Sequence, residues 1–190
     1  MIILQLILYC LIFTAMVRIS VSGGAVNALY FYPKPYQERA FERGIADRET
    51  VKNKKSRFMT AFYLVMTVTL VLIIGVWNRA GNFKDAYLQA LLFLEVMNIY
   101  DGTVIDKLWV GHSKFRIIPG MEDTAYVQTW GQVLKKRTIL ALIWTVGALL
   151  VAGLVVLTES FLWLSLSLTN PPHHSQTAQL RQKNFLLSRF

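Results

Sequence analysis

Four polar side chains interrupt an otherwise apolar stretch: Glu95, Asn98, Asp101 and Asp106. The stretch, NFKDAYLQALLFLEVMNIYDGTVIDKLWVGHSKFRIIPGMEDT from Asn82 to Thr124, also carries His112 and the acidic pair Glu122-Asp123. On an α-helix, at about 100° per residue, Glu95 and Asp106 return to within about 20° of one direction, with Asn98 about 60° to one side. Asp101 falls about 120° from Glu95 on the same wheel, unless Gly102 bends the helix. Glu95, Asn98 and Asp106 are thus expected to share a face.

Two kinds of chemistry suit such a set. Carboxylates with one imidazole can hold a divalent metal ion; oxygen ligands suit Mg²⁺ or Mn²⁺ and imidazole suits Zn²⁺ or Fe²⁺. The candidate ligands are Glu95, Asn98, Asp101, Asp106, His112, Glu122 and Asp123. Alternatively, Glu95, Asp106 and His112 are the candidates for acid/base catalysis, because burial moves a carboxyl towards the working range of a proton donor or acceptor. The spacing matches no specific catalytic motif, and the Glu-x-x-His pairs of di-iron bundles are missing. A plainer reading has Asp101 and Asp106 marking a helix exit, paired with Lys107, Lys114 or Arg116. Glu122-Asp123 would then favour the start of the next helix through its dipole.

The elements that position these residues are membrane spans. Of 190 residues, 54% are hydrophobic, and the mean hydropathy is +0.41. Long uncharged apolar runs in such a chain predict an all-α, polytopic membrane protein. Four spans are expected, at residues 2–17, 58–77, 83–101 and 138–157, in one membrane domain over 1–169. An ionisable side chain at the centre of a span costs roughly 2.5–3.5 kcal/mol on insertion scales, so Glu95 needs a partner, a cation or a proton. By default, such a residue marks function.

The first run competes with a signal peptide. No basic residue precedes it, and Arg18 follows directly, so an uncleaved span is the favoured reading even though Ser22-Gly23-Gly24 imitates a cleavage site. In the basic segment 33–57, Pro35 can start a short helix on the membrane surface, Gly44 can end it in a left-handed cap, and Ile45 can pack back. Pro119-Gly120 fits the centre of a type II turn. Asp123 or Thr124 can cap a second interfacial helix carrying Tyr126, Trp130 and Val133 on one face. Ala148 and Ala152, beside Gly147 and Gly153, allow close packing with another helix, a second copy or a partner membrane protein. Residues 161–168 are apolar but too short to span again. The tail 170–190 reads as flexible, and His173-His174 as a weak metal-binding pair.

Net charge is +9. No nucleic-acid motif accompanies it, and the partner expected for the basic loops is the lipid bilayer. Nine Lys/Arg lie in 18–57 and six in 101–137, against five elsewhere. The positive-inside rule therefore places both long loops in the cytoplasm and both termini outside, in a cell membrane. The single cysteine, Cys10, permits no internal disulfide.

The segments NALYFYPKPYQERAFERG and NIYDGTVIDKLWVGHSKFRIIPGMED resemble motifs of small multi-pass membrane proteins of bacteria, especially Firmicutes. The resemblance spans about residues 25–155 and implies a bacterial membrane location, with no activity to carry over. Tyr32-Pro33-Lys34, Asp101, Asp106, His112 and Pro119-Gly120 through Asp123 are its pattern positions.

Three functions are consistent with these features. One is a cytoplasm-facing acidic pocket acting as a metal or acid/base site on a lipid-like substrate. Another is a transporter or channel subunit using a buried carboxylate. The third is a non-catalytic complex or assembly protein.

Overall fold

The computed structural model describes residues 1–114, 117–123, 126 and 128–169, with side chains to residue 161. The readings placed on Arg116, Thr124, His173-His174 and the 170–190 tail lie outside the described residues. The described residues are helical with connecting turns, and no strand occurs among them. Helix α1 is Ile2–Val21, α2 is Lys34–Glu42, and α3 is Arg48–Val71, continued by a π-helical turn over Leu72–Trp77. Helix α4, Phe83–Tyr100, continues as a π-helix over Asp101–Val110, and α5 is Trp130–Thr169. Four of these helices are long and apolar enough to cross a membrane: Ile2–Val21, Arg48–Trp77, Phe83–Val110 and Trp130–Phe161. The fold is therefore an all-α, multi-pass membrane bundle.

Each helix is longer than its apolar run. α3 begins at Arg48, well before the apolar run that opens at Phe58. Asp47 caps it there by accepting from the Thr50 N–H at 2.8 Å, which satisfies a donor that the first turn leaves open. α5 begins at Trp130 with a reciprocal capping box. The Gln132 N–H donates to Thr129 Oγ1 at 3.3 Å, and the Thr129 N–H donates to Gln132 Oε1 at 2.9 Å. This corrects the expectation that Asp123 caps the helix; its carboxylate instead takes two bonds from Arg43. α5 also continues without a break through the apolar residues 161–168.

Exposed apolar side chains, such as Leu64, Leu72, Leu142, Leu150 and Leu157, cover the outside of the bundle. They would be a liability in water, but suit a bilayer. Inside, Tyr9 and Phe13 of α1 meet α3 and α4 through edge-to-face rings, the arrangement that aromatic quadrupoles favour. Tyr9 lies 5.7 Å from Phe93, and Phe13 lies 5.7 Å from Phe62. The small residues Ala86, Ala90, Ala148 and Ala152 are fully buried in this same core, and a side chain at Gly147 would meet Leu94. The small-residue patch of α5 is thus used within the chain, against α4.

The two long loops form a second core at one end of the bundle. Leu29, Tyr30, Tyr32 and Ala40 of the first loop pack with Ile118 and Met121 of the second. α2 ends in a complete Schellman cap, in which a left-handed residue turns two amides back onto the last turn. Gly44 takes that conformation at φ 67°. Its N–H donates to Phe41 O at 3.0 Å, and Ile45 N–H donates to Ala40 O at 2.9 Å. Pro119-Gly120 makes the expected type II turn. Gly120 has φ 84°, and Met121 N–H donates to Ile118 O at 2.9 Å. The two turns meet, since a Cβ on Gly120 would lie 3.0 Å from Ile45 Cδ1. Arg43 then ties the loops together through Gly120 O and both oxygens of Asp123.

The opposite end is held by a polar triad with no counterpart among the sequence expectations. Gln5 of α1 donates to Asn78 at 2.6 Å, and Asn78 donates to Gln89 of α4 at 2.7 Å. Gln5 is 1% exposed, so these amides satisfy one another where no water can.

Candidate functional site

The centre of the site is a cation that the sequence pattern assigns to the headgroups. Arg137, two turns into α5, is 8% exposed. Its guanidinium donates to Asp101 at 2.5 Å and makes a short ion pair with Asp106. Lys136 pairs with Asp106 from the rim at 3.0 Å. Of the cations expected to neutralise the acids, Arg116 lies outside the described residues, and Lys107 and Lys114 form no ion pair with them; Arg137 and Lys136 do. Lys107 turns away, donating to Gln128 O at 2.5 Å with its ammonium 4.8 Å from the Trp130 ring centroid, close enough for a cation–π contact.

Asp101 and Asp106 reach one guanidinium because the helix changes its winding between them. Residues five apart lie about 140° apart around an α-helix. Where the hydrogen bonds run i→i+5, positions five apart come round towards one side. The bond from Gly111 N–H to Asp106 O is of this kind, and Asp101 and Asp106 lie in the same π-helical segment. The α-helical wheel therefore misplaced Asp106 relative to Asp101: Asp101 follows directly on the last α-helical turn, and the π-helix brings Asp106 round towards it. Gly102 completes the arrangement. A Cβ at this position would lie 2.9 Å from Arg137 Nε, 3.0 Å from its Cγ and 3.1 Å from its Cδ. Only a bare backbone lets the arginine stem pass.

Asn98 extends the polar network towards the middle of the membrane. It is 2% exposed, donates to Arg137 O at 3.0 Å, and accepts from the guanidinium at 3.5 Å. Its amide also lies 3.4 Å from the half-buried Glu95 carboxylate. Arg137 Nε is buried without a hydrogen-bond partner among the described residues.

The remaining candidates lie elsewhere. His112 is exposed, and its Nδ1 faces the carbonyls of Lys107 and Leu108 at 3.0 and 3.1 Å, closing the end of the π-helix. The structure places no hydrogen bond between it and Asp101 or Asp106. Glu122 accepts the Gly120 N–H at 2.8 Å; this bond holds its carboxyl below the usual range and serves the turn. Asp123 lies on Arg43, whose guanidinium it pushes up. Among the described residues, no three His, Cys, Asp or Glu side chains gather as a metal set. The seven candidate ligands are thus divided between the α4–α5 boundary, a helix end and the loop turn.

Beside the charged cluster lies a cavity of about 340 Å³ between α1, α3, α4 and α5, roofed by the loop layer. Its charged lining is Asp101, Asp106, Lys55, Lys136 and Arg137. Its deeper walls are Phe13, Phe62, Met97 and Trp144, and its roof includes Tyr30, Tyr32 and Tyr126. Burial, then the nearby Asp106 carboxylate, push the Tyr126 phenol up. No sequence pattern announces this aromatic lining, because its members come from six separate segments.

No protein-family model matches the chain, and no curated protein or solved structure matches it at a significant level. What the structure shows is the multi-pass helical membrane fold.

Proposed function

We propose that this membrane protein holds a lipid-like molecule in the cavity beneath its loop layer, with the charged end of the cavity, around the Asp101–Asp106–Arg137 cluster, as the polar contact for the head. One observation carries the reading: the cavity is charged at the loop end and aromatic or aliphatic two turns deeper. Its volume of about 340 Å³ falls in the range of small-molecule sites, which are concave and mostly apolar with a few convergent polar groups. Both basic loops share this end, so the positive-inside rule supports placing it in the cytoplasm of a bacterial cell membrane. In this reading, Arg137 holds both carboxylates in place, as a preorganised polar surface. The experiment is photo-crosslinking with a neutral-headed alkyl probe, in nanodiscs of neutral lipid. Label is expected on residues 55–63 and 136–144, reduced severalfold by the cavity-filling variants Met59→Trp and Leu140→Trp, and unchanged by the outward-facing Leu150→Trp. Label spread evenly over lipid-facing peptides would reject the site.

A second reading rests on the polar contacts running from Glu95 through Asn98 and Arg137 to Asp106. Intramembrane acids in such tracks carry protons in transporters. Proton flux in proteoliposomes that stops in Glu95→Gln would favour it; flux indifferent to that change would remove it.

A further inference from the structure

We infer that the occupant of the cavity is an anionic amphiphile, with a phosphate or carboxylate head at a lysine rim and one apolar chain running down between α3 and α5. The inference rests on the lipid-binding reading above and assigns the chemistry of its ligand.

The charges set the sign. Three cations line the cavity against two acids, and Arg137 already binds both acids. Lys136 shares Asp106 and is half-exposed. Lys55 is exposed and carries no ion pair among the described residues. The charge in excess is therefore positive, and it sits at the mouth, where water and headgroups reach it. A cationic head would find both carboxylates occupied by a guanidinium that cannot be deprotonated.

The geometry sets the shape. Lys55 and Lys136 begin the cavity walls on α3 and α5, and Tyr63 and Trp144 close them eight residues further along each helix. Eight residues at about 1.5 Å each give a depth of roughly 12 Å below the rim. The walls between are aromatic and aliphatic, with Phe58, Phe62 and Leu140 among them. A volume near the small end of the ligand range suits one chain better than two. A lysine ammonium is a point charge that accepts phosphate or carboxylate without demanding a planar fork, so the rim suits either head.

The test is competition against the neutral photoreactive alkyl probe in neutral nanodiscs, with single-chain phosphate, carboxylate, alcohol and amine of equal chain length. The phosphate and carboxylate should displace the probe at lower concentration than the alcohol, by roughly fivefold per lysine engaged. Lys55→Gln and Lys136→Gln should each erode that advantage and leave the alcohol unchanged. Lys55→Glu, at an exposed position, should reverse the order in favour of the amine. Phosphate ahead of carboxylate would identify a phosphate-headed lipid, and parity would identify any anionic head; either supports the inference. Equal competition by alcohol and anions, or an anionic advantage that survives in both lysine variants, overturns it while the cavity remains a lipid site. Failure of the probe to label the cavity would instead overturn the underlying reading.

Discussion

The Arg137 guanidinium meets the Asp101 carboxylate at 2.5 Å across the α4–α5 boundary, and it gets there past the bare backbone of Gly102. The contact ties the winding of α4 to the charge balance of the cavity. If α4 stayed α-helical beyond Tyr100, Asp101 and Asp106 would point in different directions, and one guanidinium could not hold both.

Gly102→Ala tests this dependence at its narrowest point. The added methyl would crowd three atoms of the Arg137 side chain, the nearest at 2.9 Å. Overpacking of this kind costs about 1–3 kcal/mol. The expected result is a lower thermal midpoint in detergent and reduced probe labelling in the cavity. Gly131→Ala, with open space around it, is the matched control and should leave both unchanged.

Removing the arginine should be worse than removing the whole ion cluster. Arg137→Met leaves two carboxylates, 25% and 13% exposed, without their main partner. Breaking a buried pair from one side costs about 3–5 kcal/mol, whereas replacing all members by neutral groups is often tolerated. The triple variant Asp101→Asn, Asp106→Asn, Arg137→Met should therefore recover a large part of the loss seen in Arg137→Met alone. Thermal unfolding of the parent, Arg137→Met, the double aspartate variant and the triple variant measures the coupling. Additive losses would show that the three side chains act independently.

Arg137 also shows where sequence patterning stopped being informative. It ends the run Lys135-Lys136-Arg137, three of the six basic residues of segment 101–137. Nothing in the run separates the buried member from the two exposed ones. The separation comes from which face of α5 packs into the bundle, on a helix that starts at the capping box of Thr129 and Gln132. The Thr-x-x-Gln signal is present in the sequence, but two earlier candidate caps, Asp123 and Thr124, precede it. The apolar runs behind all four helices, the Schellman cap at Gly44 and the Pro119-Gly120 turn were legible because each depends on local chemistry. The change to π-helical winding at Asp101 was not, because a wheel assumes one pitch throughout. The triad of Gln5, Asn78 and Gln89 was also missed; three isolated amides acquire meaning only when three elements bring them together.

Gly120→Ala should loosen the loop layer that roofs the cavity. The residue has φ 84°, and its new Cβ would press on Ile45. A left-handed conformation of this kind costs a non-glycine residue about 1–3 kcal/mol. Arg43 reads this same turn through Gly120 O. Hydrogen exchange of the backbone around Ile118 and Met121 should rise in the variant, while the membrane-spanning core around Phe93 stays protected. Faster exchange throughout the bundle would mean that the loop layer is not a separate cooperative unit.

Tyr32 gives the loop layer a pH limit. It is 6% exposed, its ring lies 5.4 Å from that of Tyr126, and burial pushes its phenol from 10.0 up to about 12. A phenol with a raised folded value favours the fold while it stays neutral. That contribution is fully present below pH 10, where the unfolded chain also keeps its proton, and is lost as pH rises towards 12. Phenolate absorbance should therefore include a late-titrating tyrosine that disappears in Tyr32→Phe. Between those two pH values the variant should lose less stability than the parent, because it has no phenol there to ionise. A Tyr32→Phe titration that overlays the parent would place the Tyr32 phenol in water and leave the cavity without this part of its roof.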